Sequence, residues 1–270
     1  MTSDMNLSRP LETLVLEPSA GGVLTVRLNR PEVANSLNTM MGEELLEVFG
    51  EIERRPDPHR VVILTGTGSR VFCGGADLKQ RDGMSSAEFE TQHYLFERMV
   101  RLIYDCPVPL IACVNGAAIA GGLELALACD FIVAADTARF GFTEVSRGIM
   151  PGGGGTQHLP RAIGLRRAKE LIFTGGLFGA DEALACGLVN HVYPQSSVRE
   201  EALKLAGRIL VNAPIAVRQA KKAINHGVQM DVRSGFFFEV EAYSRLIATD
   251  DREEGIRAFN EKREPRFSGR

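Results

Sequence analysis

The sequence predicts an α/β fold. Short apolar, β-branched runs of strand length recur along the first two-thirds of the chain, and segments of helical periodicity lie between them. After about residue 194 the strand-like runs stop and only helical patterns follow. The organisation expected is an α/β core over residues 11–195 and a helical C-terminal region over 196–270.

The elements follow in order. "GGVLTVRLNRP" supplies a strand at 23–28, ended by Asn29-Arg30-Pro31. Residues 39–55 place Met40, Leu45, Leu46, Val48, Phe49 and Ile52 on one helical face, and Pro56 and Pro58 close the helix. "RVVILTG" at 60–66 has the unbroken apolar character of a strand buried on both faces. Runs of the same kind occur around 110–114, in "CDFIVAA" and in "GLVNHVY". Helices are expected at 86–105 and around 121–128, then at 197–211, 214–226, 229–249 and 250–261. The opening "MTSDMNLSRP" has no basic segment leading into an apolar one and reads as a loose tail.

Composition narrows the function. The chain has 270 residues, 44% apolar and 24% charged, an ordinary balance for a soluble globular protein. No apolar run approaches the roughly 18 residues of a spanning helix. A net charge of −3 gives no general attraction to nucleic acid or an anionic membrane. The five cysteines form no CxxC pair, and all but Cys73 lie among apolar neighbours, as in reduced, buried thiols of a cytoplasmic or, after removal of a leader, mitochondrial matrix protein. The glycine-rich segments contain no GxGxxG, and GxxxxGK[ST], HExxH and GxSxG are absent. Nicotinamide dehydrogenases, P-loop NTPases, zinc proteases and nucleophile-elbow hydrolases are therefore disfavoured. The five histidines lack ligand spacing, so no metal is expected.

"AIAGGLELALACD" (118–130) raises a sharper question, because Glu124 interrupts an almost wholly apolar stretch. Either the carboxyl turns to solvent, or it works in a dry site with a raised pKa. Gly74-Gly75-Ala76 follows one buried strand, and Gly121-Gly122 follows another and opens a helix. Glycine allows close backbone approach to a ligand, and two helix N-termini converging from neighbouring strands would offer a pair of N–H donors to one oxyanion. Each glycine pair taken alone is equally a tight turn.

"FCGGADLK", "NGAAIAGGLELALACD" and "GFTEVSRGIMPGGGGTQHLPRAIG" resemble the signature segments of the enoyl-CoA hydratase/isomerase (crotonase) family. The similarity runs from about Val23 to the C-terminal "DDREEGIRAFNEKREPRFSG", and within the family it is nearest the enoyl-CoA and methylglutaconyl-CoA hydratases. The resemblance implies a spiral of ββα turns, C-terminal helices that form a homotrimer or a dimer of trimers, and an acyl-CoA thioester substrate. It implies no separate cofactor, because coenzyme A arrives as part of the substrate. The oxyanion-hole amides fall on Ala76 and Gly121, and the catalytic glutamates on Glu124 and Glu144. Lys79, Phe259 and Lys262 match positions that contact the CoA nucleotide. The implied reaction adds water across a 2-enoyl thioester; an isomerase or a methylglutaconyl-CoA hydratase on the same scaffold is the alternative.

Neighbouring residues have plainer readings. Cys73 is expected to pack, Asp77 to cap a helix, and His158 to be structural or exposed. Arg147, three residues after Glu144, could pair with a carboxylate. A substrate with a distal carboxylate would need a cation, for which Arg81 and Arg147 are the candidates, and residues 80–105 would shape the tail pocket. One family relative binds AU-rich RNA; the net charge and the acidic first helix argue against that role here. Apolar residues of the C-terminal helices, Phe236, Phe237, Phe238, Val240 and Leu246, exceed what a helical hairpin could bury and point to self-association.

Overall fold

Successive turns of the chain lay one strand in each of two sheets, and this alternation builds the whole core. The structure is a computed structural model and describes residues 5, 7–19 and 21–270. Strand β1 (Leu14–Ser19) pairs antiparallel with β2 (Val23–Leu28). Helix α1 (Thr39–Arg54) starts at an Asn38 cap whose side chain accepts the Met41 N–H. Three turns follow. The first comprises β3 (Val61–Gly66), β4 (Val71–Cys73), a short α2 (Leu78–Arg81) and α3 (Ser86–Tyr104). The second comprises β5 (Leu110–Val114), β6 (Ala117–Ile119) and α4 (Gly121–Leu127). The third comprises β7 (Phe131–Ala135), β8 (Arg139–Gly141), a 3₁₀ turn at Glu144–Arg147 and α5 (Gly155–Ile163). The larger sheet runs β1-β2-β3-β5-β7 and ends on β10 (His191–Tyr193). The smaller runs β4-β6-β8 and ends on β9 (Phe178–Gly179). All pairs are parallel except β1–β2 and β8–β9. This is the expected spiral.

Helices α6 (Leu165–Thr174) and α7 (Ala180–Ala185) flank β9. The C-terminal helices are α8 (Val198–Leu210), α9 (Pro214–Gly227), α10 (Val232–Ser244) and α11 (Asp250–Glu261). The first of these belongs to the sheet: Val198, Ala202 and Ala206 pack on Val61, Ile63, Ile111 and Val133. The main core fills the other side, where α1 and α3 cover β2, β3 and β5 through residues such as Phe49, Met99 and Ile103. Lys221 anchors α9, donating to Asp130 at 2.7 Å and to the Val108 carbonyl at 3.0 Å.

Several expectations need correction. Helix 229–249 starts later, at Val232, because the Asp231 carboxylate caps it by accepting from the Arg233 and Ser234 amides, and it gives way to turns after Ser244. The strands of the small sheet, β1, and helices α5 to α7 carry patterns too short or too mixed to read. The loose-tail reading falls partly on residues 1–4 and 6, which lie outside the described residues. Met5 and Leu7 instead pack against the core, and Arg9 pairs with Glu43. The acidic first helix is less of an acidic face than expected. Glu44 is buried and accepts from the Glu12 and Thr13 amides, and Glu51 is buried beside Arg54 and Arg55.

Candidate active site

The C-terminal ends of the small-sheet strands converge on one cavity of about 460 Å³. After β4 the chain turns through Gly75 at φ 88°, where a side chain would strike Ala120 and Gly121 of the next turn at 3.0–3.2 Å. Leu37 then brackets Ala76: the Leu37 N–H donates to the Gly75 carbonyl and the Asp77 N–H to the Leu37 carbonyl, both at 2.8 Å. The Ala76 amide itself donates to no acceptor among the described residues. After β6, Ala120 adopts φ 52° and ψ −125°, a conformation L-residues rarely hold, tied down by its N–H to the Gly141 carbonyl at 2.8 Å. That corner aims the Gly121 amide into the cavity, also without an acceptor among the described residues. A Cβ on Gly121 would lie 3.8 Å from the Ala76 nitrogen, so the two amides are neighbours. Only one of them opens a helix. Ala76 precedes α2, which Asp77 caps, so its exposed N–H results from the bracket by Leu37 rather than from a helix terminus.

Glu124 does not turn to solvent. It is 5% exposed on α4, and its Oε1 accepts from the Gly153 amide at 2.7 Å and the Gly155 amide at 2.8 Å. Burial raises its pKa, and those two N–H donors hold the rise in check. The four-glycine run is therefore a cradle for the protein's own carboxylate. A Cβ on Gly153 would fall 2.8 Å from Glu124 Oε2, and one on Gly155 would fall 2.7 Å from the Phe142 ring. The sequence reading missed this role; the signal was the placement of "GGGG" in a segment already carrying Glu144.

Glu144 lies in the 3₁₀ turn after β8, 8% exposed on the same cavity. Its Oε2 is buried with no hydrogen-bond partner among the described residues. Burial, reinforced by the charge of Glu124, pushes its pKa up to about 7 against the pull of its own backbone amide and Arg147. Among the described residues Arg147 forms no ion pair; it is exposed and donates to the Thr143 carbonyl and Ser146 Oγ, both at 3.1 Å. The expected pairing with a carboxylate is thus corrected.

The remaining candidates divide. Cys73 is fully buried, its thiol pushed up to about 12, and it packs. Asp77 caps α2 through the Lys79 and Gln80 amides and receives Arg30 at 2.9 Å, which outweighs the effect of burial and leaves its pKa lowered. His158 stacks on Tyr104 with ring centroids 4.8 Å apart, a packing role. Lys79 is exposed beside the cavity mouth residue Leu78 without lining the cavity. Phe259 and Lys262, on and just after α11, do not line it within this chain; Phe259 is 84% exposed. The apolar wall comes from α3, through Phe89, Phe96, Met99 and Val100, as the 80–105 reading anticipates. Among the described residues no group of three or more His, Cys, Asp or Glu is placed to hold a metal, and no helix is long and apolar enough to cross a membrane.

A two-sheet spiral with unpartnered amides and buried carboxyls at the ends of its successive turns defines a protein of the crotonase fold class. The chain belongs to the enoyl-CoA hydratase/isomerase family: the family model of that description matches residues 19–270. Among curated relatives, the mitochondrial enoyl-CoA hydratase domain-containing protein 2 of Mus musculus is 44% identical over 253 residues, covering 92% of this chain and 85% of its own. The mitochondrial methylglutaconyl-CoA hydratase of Homo sapiens is 40% identical over 272 residues, covering 99% and 80% respectively. A crystal structure of an enoyl-CoA hydratase from Bacillus anthracis superposes with a TM-score of 0.94 at 44% identity, covering 96% of this chain and all of that one.

Proposed function

We propose that the protein is an enoyl-CoA hydratase, adding water reversibly across the 2,3-double bond of a 2-enoyl-CoA thioester. One observation carries the reading: two buried carboxyls with opposed surroundings share a cavity with two unpartnered, adjacent amides. Glu124, whose Oε1 accepts from the Gly153 and Gly155 amides, suits the base that takes a proton from water. Glu144, with a partnerless oxygen and a pKa near 7, suits the acid that delivers a proton. Water attacks C3 as Glu124 accepts its proton, charge gathers on the thioester oxygen between the Ala76 and Gly121 amides, and Glu144 protonates C2. Each amide aimed at that oxygen is worth about 3 kcal/mol in the dry site. Hydroxyacyl-CoA leaves, and the proton gained by Glu124 and the one lost by Glu144 re-equilibrate through water. Lys79 is assigned to the CoA portion of the substrate, and Phe259 and Lys262 to the CoA of a neighbouring subunit.

Hydration of crotonyl-CoA, followed by loss of the conjugated thioester absorbance, tests the assignment. Glu124→Gln and Glu144→Gln should each lower kcat by at least about 10²-fold. The double variant should lose less than the product of the two, because the groups act as a unit. Loss confined to Glu144→Gln would replace the hydratase reading by that of an isomerase, and retention in both would remove the glutamates from the mechanism.

A further inference from the structure

Helix α11 has little grip on the core of its own: of its 12 residues only Asp251 and Ala258 are buried. Segment 263–270 doubles back along one stripe of the helix, Asp251, Glu254 and Gly255, spaced i, i+3 and i+4. The carboxylate of Asp251, a residue 3% exposed, accepts from the Ser268 amide at 2.6 Å and the Gly269 amide at 2.9 Å, and the Asp251 amide donates to the Arg270 carbonyl at 3.3 Å. The Arg263 guanidinium meets the Glu254 carboxylate through two bonds, Nη1 to Oε1 at 2.6 Å and Nη2 to Oε2 at 3.0 Å. The Arg266 amide donates to the same Oε1 at 2.9 Å. The Phe267 ring lies over Gly255, where a Cβ would meet it at 3.6 Å, and lines a cavity of about 340 Å³ with Arg60, Val108 and Pro214. Gly269, at φ 77°, comes so close to Pro214 that a Cβ would lie 3.1 Å from its Cγ. The segment is a strap: one side holds α11, and the other rests against the start of α9 and the residue before β3.

What the strap fixes is the far end of α11. The chain leaves the helix at Lys262, which takes φ 55° and ψ 43°, the left-handed cap that glycine usually fills. Arg263 closes that turn, its amide donating to the Ala258 carbonyl at 3.0 Å while its side chain grips Glu254. A lysine held in this conformation points to a use for its side chain. Its ammonium is exposed and bonded to no acceptor among the described residues, and Phe259, one turn earlier, is 84% exposed. We infer that Asp251, with the strap it holds, is a positioning residue for substrate binding: it sets α11 against the core so that Phe259 and Lys262 meet the nucleotide of CoA already in place. The inference rests on the assignment of those two residues to CoA under the hydratase reading. Asp251 lies on the buried side of the helix and does not line the cavity of the two glutamates, so its effect belongs to affinity and not to the chemical step.

The test compares crotonyl-CoA with crotonyl-pantetheine, which keeps the acyl group and the thioester and lacks the nucleotide. The variants are Asp251→Ala, Asp251→Asn, Arg263→Met, Phe259→Ala and Lys262→Ala. Asp251→Ala and Arg263→Met should raise KM for crotonyl-CoA by about 10-fold, the scale of ordering two side chains on binding, with kcat within about twofold. On crotonyl-pantetheine both should match the wild type within about twofold. Asp251→Asn, which keeps one of the two amide bonds, should fall between. Arg263→Met leaves the buried carboxylate satisfied and carries the test where Asp251→Ala does not fold. Lys262→Ala should raise the same KM, and adding Asp251→Ala to it should cost less than the product of the singles, because the strap acts through that end of the helix. Equal loss on both thioesters, or a loss in kcat alone, assigns Asp251 to folding or assembly and overturns the proposal. So does an unchanged KM in Asp251→Ala and Arg263→Met while Lys262→Ala raises it, a result that leaves the CoA assignment standing. If Phe259→Ala and Lys262→Ala both leave KM unchanged, the assignment of α11 to CoA fails; a nucleotide-selective loss in Asp251→Ala then still supports the strap as a positioning element, and its absence overturns it. If the wild type hydrates neither thioester, the hydratase reading fails, and calorimetric Kd values for butyryl-CoA and butyryl-pantetheine decide the strap alone. A weakening of about 10-fold in Asp251→Ala confined to butyryl-CoA supports it, and an equal or absent change overturns it.

Discussion

Replacing Gly122 by alanine tests how the two unpartnered amides are spaced. Gly122 is the second residue of α4, and a Cβ there would lie 2.1 Å from the Cys73 carbonyl oxygen and 2.7 Å from its carbon. Ordinary contact begins near 3.4 Å, so α4 must move off the end of β4 by about 1 Å, and the obstacle is backbone, which cannot rotate away. The displaced segments are the ones that carry the amides: Gly74-Gly75-Ala76 follows Cys73 directly, and Gly121 precedes Gly122. Overpacking of this kind destabilises by about 3 kcal/mol, at the upper end for a buried small-to-large change. In a chain of this length that lowers Tm by about 6–12 °C. An ångström of misplacement at the reacting centre lowers kcat/KM by about 10²-fold. Thermal unfolding followed by circular dichroism and crotonyl-CoA hydration at a temperature well below both transitions measure the two effects separately. A variant of unchanged Tm with hydration within twofold of wild type would refute the packing argument. A lowered Tm with unchanged kcat/KM would show that the amide spacing is independent of this contact.

Three further outcomes follow from the same structure. In the proposed mechanism Glu144 acts while it holds its proton, so hydration should decline as pH rises through about 7, and the residual activity of Glu144→Gln should lack that limb in a pH–rate profile. The same raised pKa stabilises the fold fully below the ordinary carboxyl value of 4.5 and is lost as pH climbs through about 7. Glu144→Gln should therefore gain on wild type by up to about 3 kcal/mol across that window in urea unfolding. Phe236, Phe237 and Val240 on α10 are 60–67% exposed, so light scattering at micromolar concentration should give a trimer or hexamer, and a stable monomer would count against the assembly.

The long elements were legible because each satisfies one rule over many residues. The periodicity of Leu45, Val48, Phe49 and Ile52 specifies α1, and the apolar runs specify β3, β5 and β7, which are buried on both faces. The small sheet was not legible: two- and three-residue strands such as Phe178–Gly179 carry no period, and their pairing is imposed by the turn before. Of the five apolar residues expected to drive assembly, Phe236, Phe237 and Val240 are exposed, but Phe238 and Leu246 are not. Phe238 packs on His226 with ring centroids 4.9 Å apart, and Leu246 is half-buried. Helical spacing within one segment cannot separate a hairpin's own seam from its outer face. At the site, Glu124 could be singled out because a carboxyl in an apolar stretch needs a reason. Its partners, the Gly153 and Gly155 amides, could not, because a backbone donor has no side-chain signature. Ala120 is the harder case: nothing about alanine announces a positive φ, and only the grip of Gly141 and the neighbouring Gly75 turn enforces it.

The alternation of strands between two sheets has a metric consequence. Ala76 and Gly121 lie just past the ends of β4 and β6, adjacent parallel strands of the small sheet, and Glu144 lies just past β8, the next strand along. Neighbouring strands are held about 4.8 Å apart by their own ladder, a distance almost independent of side chains. On the proposed reading, two amides carried at about that spacing, each about 2.9 Å from a shared oxygen, would subtend an angle of about 110° at it, close to the spread of an oxygen's lone pairs. On that reading the sheet acts as a gauge block: the ladder sets the starting width of the jaw, the Cys73–Gly122 contact trims it, and variation in the α3 wall can reshape what the jaw holds without resetting that width.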